Sequence, residues 1–178
     1  MKKTSNLLVL CVCLFLTNSC SHKEDKFKNN LYYANDYETA HGWYDDPRII
    51  RCIAHSGKFA CKIDKDHLFS TTFVSKINEI SAQGLKKVAI KAWIKVENPK
   101  AWAKVVLEVR DTKDSIVFWN GGKTDEFTIR TGEWFPVSFN YDLPPNLNPE
   151  GVIKIYLLNQ AEEGLLTDDL EIQFEEKN

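Results

Sequence analysis

The chain has 178 residues, 23 basic against 25 acidic side chains, a net charge of −2 and five cysteines. That length suits one domain with a real hydrophobic core. The charges are mixed along the chain without a basic stripe, which excludes a nucleic-acid footprint and gives no indication of electrostatic capture of a polyanion.

Met1-Lys2-Lys3 is a short basic start, and Leu7 to Leu16 is an uninterrupted apolar run. The run is too short to cross a bilayer as a helix and suits the apolar region of a secretory signal. Thr17-Asn18-Ser19 then leads to Cys20. This arrangement resembles the lipobox of bacterial lipoproteins, which implies that Cys20 becomes the acylated first residue, carrying palmitate-type chains. Ser19 fits the small residue before the cut, whereas Thr17 departs from the usual leucine. The alternative is a plain signal peptide cut near the same place. Ser21-His22-Lys23-Glu24-Asp25 resembles the export signal of some Gram-negative surface lipoproteins; the alternative is a solvated tether on a lipoprotein facing the periplasm. The expected organisation is a signal peptide over 1–19, a lipidated tether over 20–30 and one domain over 31–178. Removal of residues 1–19 takes Lys2 and Lys3 and no acid, so the mature chain is the more acidic.

From Leu31 onward the pattern is β. Strands are predicted around Arg48–Ala54, Lys58–Asp64 and Ser70–Val74, with one helical turn inside Ser75–Gly84. Val88, Ile90, Ala92, Ile94 and Val96 alternate with Ala89, Lys91, Trp93 and Lys95, the period of a half-buried strand. The same alternation covers Ala103–Arg110 and Asp169–Glu175. Further strands are predicted at Ser115–Trp119, Glu126–Arg130, Trp134–Tyr141 and Val152–Asn159. Ser56-Gly57, Asn98-Pro99, Asn120-Gly121-Gly122, Thr131-Gly132 and Pro144-Pro145-Asn146 supply turn signals between them. Many short strands at this spacing predict an all-β, antiparallel two-sheet β-sandwich.

Several short segments stand in a telling order. Asn35-Asp36-Tyr37-Glu38 and Gly42-Trp43 come first, then His55-Ser56-Gly57-Lys58-Phe59-Ala60, Ala92-Trp93-Ile94-Lys95 and Gly132-Glu133-Trp134. Ile155-Tyr156-Leu157-Leu158-Asn159 and Thr167-Asp168-Asp169-Leu170-Glu171-Ile172 close the series. This order resembles the galactose-binding-domain-like jelly rolls, especially the carbohydrate-binding modules appended to polysaccharide-degrading enzymes. The resemblance implies two sheets packed face to face and no catalysis of the domain's own. It also implies a structural calcium at one edge, with Glu38 (and Asp36), the Ser56 backbone carbonyl and Asp168 at the matching positions. Carboxylates and carbonyls supply the hard oxygens calcium takes; the alternative is that these acids face water.

Cys11 and Cys13 leave with the signal and Cys20 carries lipid, so Cys52 and Cys61 remain. A two-residue hairpin turn at Ser56-Gly57 sets His55 opposite Lys58 and Cys52 opposite Cys61. The Cα atoms of such a pair lie about 4.5 Å apart, within disulfide reach, and the exported address is oxidising. A Cys52–Cys61 disulfide is therefore expected. A zinc set of Cys52, His55, Cys61 and His67 has the wrong spacing for common fingers.

Nothing points to a redox or nucleotide cofactor, and no serine, cysteine or metal-protease motif is present, so the chain is expected not to be an enzyme. Its paired acids are sequence neighbours, which on strands point to opposite faces. The binding hypothesis rests on aromatics. Trp93 and Trp102 both fall on lysine-bearing strand faces, and a hairpin through Glu97–Lys100 brings them diagonally together. Flat indoles match the C–H face of a sugar, with Lys95, Lys104, Glu108 and Tyr156 as hydroxyl contacts. The alternative is that these rings merely cover the sheet or stack on lysine stems. Trp43 and Trp134 are assigned to core or loop packing, and Trp119 is ambiguous. The expected protein is lipid-anchored at the outer membrane, cell-surface exposed and a weak glycan binder. The alternative is a structural or protein-interaction subunit of an outer-membrane assembly for polysaccharide uptake or adhesion.

Overall fold

The computed structural model describes residues 31–39 and 46–178. The signal segment, Cys20, the tether over 20–30 and Trp43 lie outside the described residues. Among the described residues ten strands follow in order: β1 (Tyr32–Asn35), β2 (Ile49–Arg51), β3 (Phe59–Ile63), β4 (Phe73–Lys76), β5 (Leu85–Val96), β6 (Ala103–Arg110), β7 (Ile116–Lys123), β8 (Trp134–Asp142), β9 (Val152–Asn159) and β10 (Leu165–Glu176). One short helix, α1 (Ile77–Ile80), sits between β4 and β5 and buries both of its isoleucines. Among the described residues, no helix is long and apolar enough to cross a membrane.

The strands form two antiparallel sheets. The first has the order β2-β3-β10-β5-β8, with β1 also paired to β10; the second has the order β4-β9-β6-β7. This is the expected two-sheet β-sandwich. The alternation read from β5 holds: Val88, Ile90, Ala92, Ile94 and Val96 are buried. They meet Val105, Leu107 and Val109 of β6 and Ile153, Ile155 and Leu157 of β9 in one core cluster. Each strand gives one face to that core, which is the burial that holds the two sheets together.

Four expectations change. The predicted hairpin between β5 and β6 does not form. Both edges of β5 are taken, by β10 and β8, and both edges of β6 by β7 and β9. The Asn98–Ala101 turn, closed by Ala101 N–H donating to the Asn98 carbonyl at 3.0 Å, therefore carries the chain from one sheet to the other. Second, Glu126–Arg130 forms no strand. Phe127 and Ile129 pack against the core instead, with the Phe127 ring 5.3 Å from Phe139. Third, β7 runs through the Asn120-Gly121-Gly122 turn signal to Lys123. There the Tyr141 hydroxyl accepts from Gly122 N–H at 3.0 Å and donates to the Val105 carbonyl at 2.6 Å, bridging β6 and β7.

The fourth change concerns the cysteines. β2 pairs with β3 so that Ile49 faces Cys61 and Arg51 faces Phe59, and Cys52 N–H donates to the Lys58 carbonyl. The turn is thus a long loop over 52–58, and the register is shifted by three residues from the expected one. An odd shift moves side chains to opposite faces, so Cys52 and Cys61 do not meet. Both are free thiols, Cys61 buried in the core, where burial pushes its thiol up to about 11.

Candidate functional site

The outer face of the second sheet gathers polar and aromatic side chains around an apolar floor. Val106 of β6 forms that floor and is fully buried although it points away from the core. Its register partners are Tyr156 on β9 and Gly121 on β7. The Tyr156 hydroxyl donates to Glu108 Oε2 at 3.0 Å, and Arg110 Nε donates to Glu108 Oε1. Glu108 is 4% exposed, so its role here is to hold the phenol and the guanidinium in place. Burial pushes the Tyr156 hydroxyl above its ordinary range, and the Glu108 carboxylate adds to this.

Trp119 stands beside this row with 42% of its surface exposed. Its ring leans over Gly121: a Cβ there would come within 2.9 Å of the indole Cη2. Gly121 is therefore what lets the indole lie along the sheet. Lys104 Nζ sits 5.2 Å from the Trp119 ring centre, within cation–π range. Phe69, 47% exposed, packs edge-on to Tyr156 at 5.6 Å. The face thus offers flat apolar rings beside fixed hydrogen-bonding groups.

Of the residues picked from sequence, Lys104, Glu108 and Tyr156 come together here. Trp93 and Lys95 do not, because they lie on the outer face of the other sheet. Trp93 is covered by the 52–58 loop: the His55 ring stacks on it at 3.7 Å and 15°. Trp134 tethers the same loop through its indole N–H to the Ile53 carbonyl at 3.2 Å, in keeping with a loop-packing role. Lys95 pairs with Glu97 at 2.9 Å. Trp102 precedes β6 in the second sheet, half-buried, with Lys123 Nζ 5.7 Å from its ring centre. The expected shelf of Trp93 and Trp102 is absent because their strands belong to different sheets. Sequence reading missed Arg110 and Phe69 and left Trp119 undecided. The usable signal was Trp119 followed two residues later by glycine, an aromatic and a gap on one strand face.

The loop over 52–58 gathers the residues implied for calcium. Asp168, fully buried, accepts His55 N–H at 2.9 Å and Ser56 N–H at 3.1 Å through Oδ2. Glu38 Oε1 accepts Lys58 N–H and Phe59 N–H, each at 2.7 Å. A side chain at Gly57, whose φ is +61°, would run into the Glu38 carboxyl. Asp36 turns to its own segment and accepts Glu38 N–H. Among the described residues no group of three His, Cys, Asp or Glu side chains is arranged to hold a metal ion. The loop also points N–H groups at both carboxylates. That polarity suits an anion-braced loop and does not fit a calcium cage.

The neighbouring acids escape the strand parity rule. β10 changes register against β5 between Asp168 and Glu171, and Asp169 takes a left-handed φ of 45°. This bulge turns Asp169 to the same loop as Asp168. Its Oδ2 lies 2.6 Å from His55 Nδ1, and its Oδ1 accepts from Ser56 Oγ at 2.7 Å. Serine and histidine both bond the carboxylate and not each other, so no nucleophile–base pair forms. Burial raises the Asp168 carboxyl despite the amides it accepts.

No family model matches the chain, and no curated protein does. Solved structures do. The C-terminal family 22 carbohydrate binding module of Clostridium thermocellum Xyn10B is similar with a TM-score of 0.56 at 10% identity, covering 82% of this chain and 94% of that one. A xylan-binding domain from the same module family gives 0.54 at 9% identity over 82% and 95%. The CBM22-2 xylan-binding domain from Paenibacillus barcinonensis Xyn10C gives 0.51 at 15% identity over 84% and 94%. These likenesses establish a shared β-sandwich fold.

Proposed function

We propose that this protein binds glycan without catalysis, on the outer face of the second sheet. The observation that carries the reading is Trp119, half-exposed and laid over Gly121 beside the Tyr156–Glu108–Arg110 row. An exposed ring next to hydrogen-bonding groups with fixed positions matches a sugar's two surfaces, one apolar and one hydroxylated. Similarity to xylan-binding domains supports a saccharide ligand. Fold alone does not assign function, so the face itself bears the weight. A glycan array followed by Trp119→Ala tests it: loss of the array signal is expected, and an unchanged signal overturns the site.

The same proposal places the domain at the outer membrane, anchored by acylated Cys20 and exposed at the cell surface. The lipobox-like start and the charged residues behind Cys20 support that address. Several acyl chains anchor far better than one, and many anchored copies raise a weak affinity through avidity. Cys20→Ser should release the protein from the membrane fraction; retention would refute the anchor. A second reading, a protein-interaction subunit, draws on the exposed Ile116 and Val117 at the β7 edge. Co-purification of a stable membrane partner with no glycan bound would favour it.

A further inference from the structure

The face that carries Trp119 has a charge unlike that of the whole chain. Lys104 on β6, Lys123 on β7 and Lys154 on β9 share its outer side, by the registers Lys104↔Lys123 and Lys154↔Glu108. None of the three forms an ion pair among the described residues, whereas Lys76 pairs with Glu150 and Arg110 with Glu108 and Asp114. Glu108, the carboxylate inside the patch, is 4% exposed and already matched by Arg110. Asp114 lies beyond β6 at one end of the face, and Asp125 and Glu126 follow Lys123 at the other. The middle of the face is therefore cationic on a chain whose net charge is −2.

Two of these ammonium groups also lie over indole rings, Lys104 over Trp119 and Lys123 over Trp102. A sugar seated on Trp119 would rest beside Lys104. A neutral sugar would leave that charge and its neighbours to water. A sugar bearing carboxylate or sulfate would pair with them, and a local excess of one sign raises the local concentration of the opposite sign. Resting on the glycan reading of this face, we infer that its ligand is an anionic polysaccharide carrying carboxylate or sulfate groups.

Isothermal titration of the intact detergent-solubilised protein tests this with three probes: hexagalacturonate, a chondroitin sulfate hexasaccharide and xylohexaose. At least one charged probe should bind about tenfold tighter than xylohexaose at about 50 mM salt and lose that advantage at about 500 mM. Preference for hexagalacturonate identifies carboxylate as sufficient; preference for the chondroitin sulfate hexasaccharide, which carries both groups, shows that sulfate adds to recognition. Lys154→Gln should weaken binding of the preferred probe about 1.5- to 5-fold and leave xylohexaose binding unchanged. If xylohexaose binds as well as both charged probes, with loss on Trp119→Ala and no salt dependence, the anionic assignment fails and the glycan site stands. If no saccharide binds, both fail. Polyphosphate binding as tightly as the charged sugars and indifferent to Trp119→Ala would overturn the assignment in favour of unspecific anion capture.

Discussion

Truncating Trp119 to alanine removes the ring on which the proposed sugar rests. An indole side chain presents up to roughly 250 Å², and 42% of Trp119 is exposed, leaving on the order of 100 Å² for a ligand to cover. At about 25 cal/mol per Å², covering most of that surface contributes about 2 kcal/mol, or about thirtyfold in Kd. Association costs consume much of any such gain, so the wild-type affinity itself should be weak, about millimolar to tens of micromolar. Trp119→Ala should then push binding beyond detection in a titration with the strongest oligosaccharide from an array. The domain should survive, because Trp119 is exposed on an edge strand and its removal costs about 1 kcal/mol or less in strand preference. A thermal melt serves as the control. An unchanged Kd in a folded variant would refute the reasoning, as would loss of binding in Trp93→Ala with Trp119→Ala intact.

Other perturbations separate structure from binding. Trp93→Ala removes the ring beneath His55 and should lower the melting midpoint while leaving saccharide affinity unchanged. Tyr141→Phe leaves Gly122 N–H and the Val105 carbonyl without their shared hydroxyl; an unpaired buried group costs about 1–3 kcal/mol, readable in urea unfolding, and no change would mean the strands close the gap. Calcium or a chelator should leave the midpoint where it was, because loop amides already bond Asp168 Oδ2 and Glu38 Oε1; a clear rise with calcium would show that the loop rearranges around metal. The Lys62 ammonium and loop amides hold Asp64 down to about 2 from its ordinary 3.8. With the folded value the lower one, Asp64 contributes stability above 3.8 that is lost as pH falls toward 2. Asp64→Asn should flatten that part of the midpoint-against-pH curve. Asp168, raised by burial, works in the opposite sense: its contribution is present at low pH and fades as pH rises through its folded value.

The parts of this protein legible in one dimension are those set by neighbours along the chain. Period-two alternation assigned Val88 to Val96 and the odd residues of β6 to the core correctly, because a strand's side chains alternate whatever strand lies beside it. The same local logic picked Lys104, Glu108 and Tyr156. What failed was everything that depends on which edge pairs with which. Whether β5 joins β6 turns on β10 and β8 having claimed its edges, and no local pattern encodes that competition. Hence Trp93 and Trp102 part company, and Trp119 takes the exposed position. The register of β3 against β2 likewise follows the core burial of Cys61 and Ile63, not the Ser56-Gly57 turn signal, and it moves the two thiols to opposite faces. Charge shows the same division. Along the chain the lysines are interspersed with acids, but the pairing of β6 with β7 and β9 collects three of them on one face. Composition determines the total charge and alternation determines which side chains face outward. Only the assembled sheet decides which outward side chains become neighbours, because that proximity is created by hydrogen bonds between strands far apart in the chain.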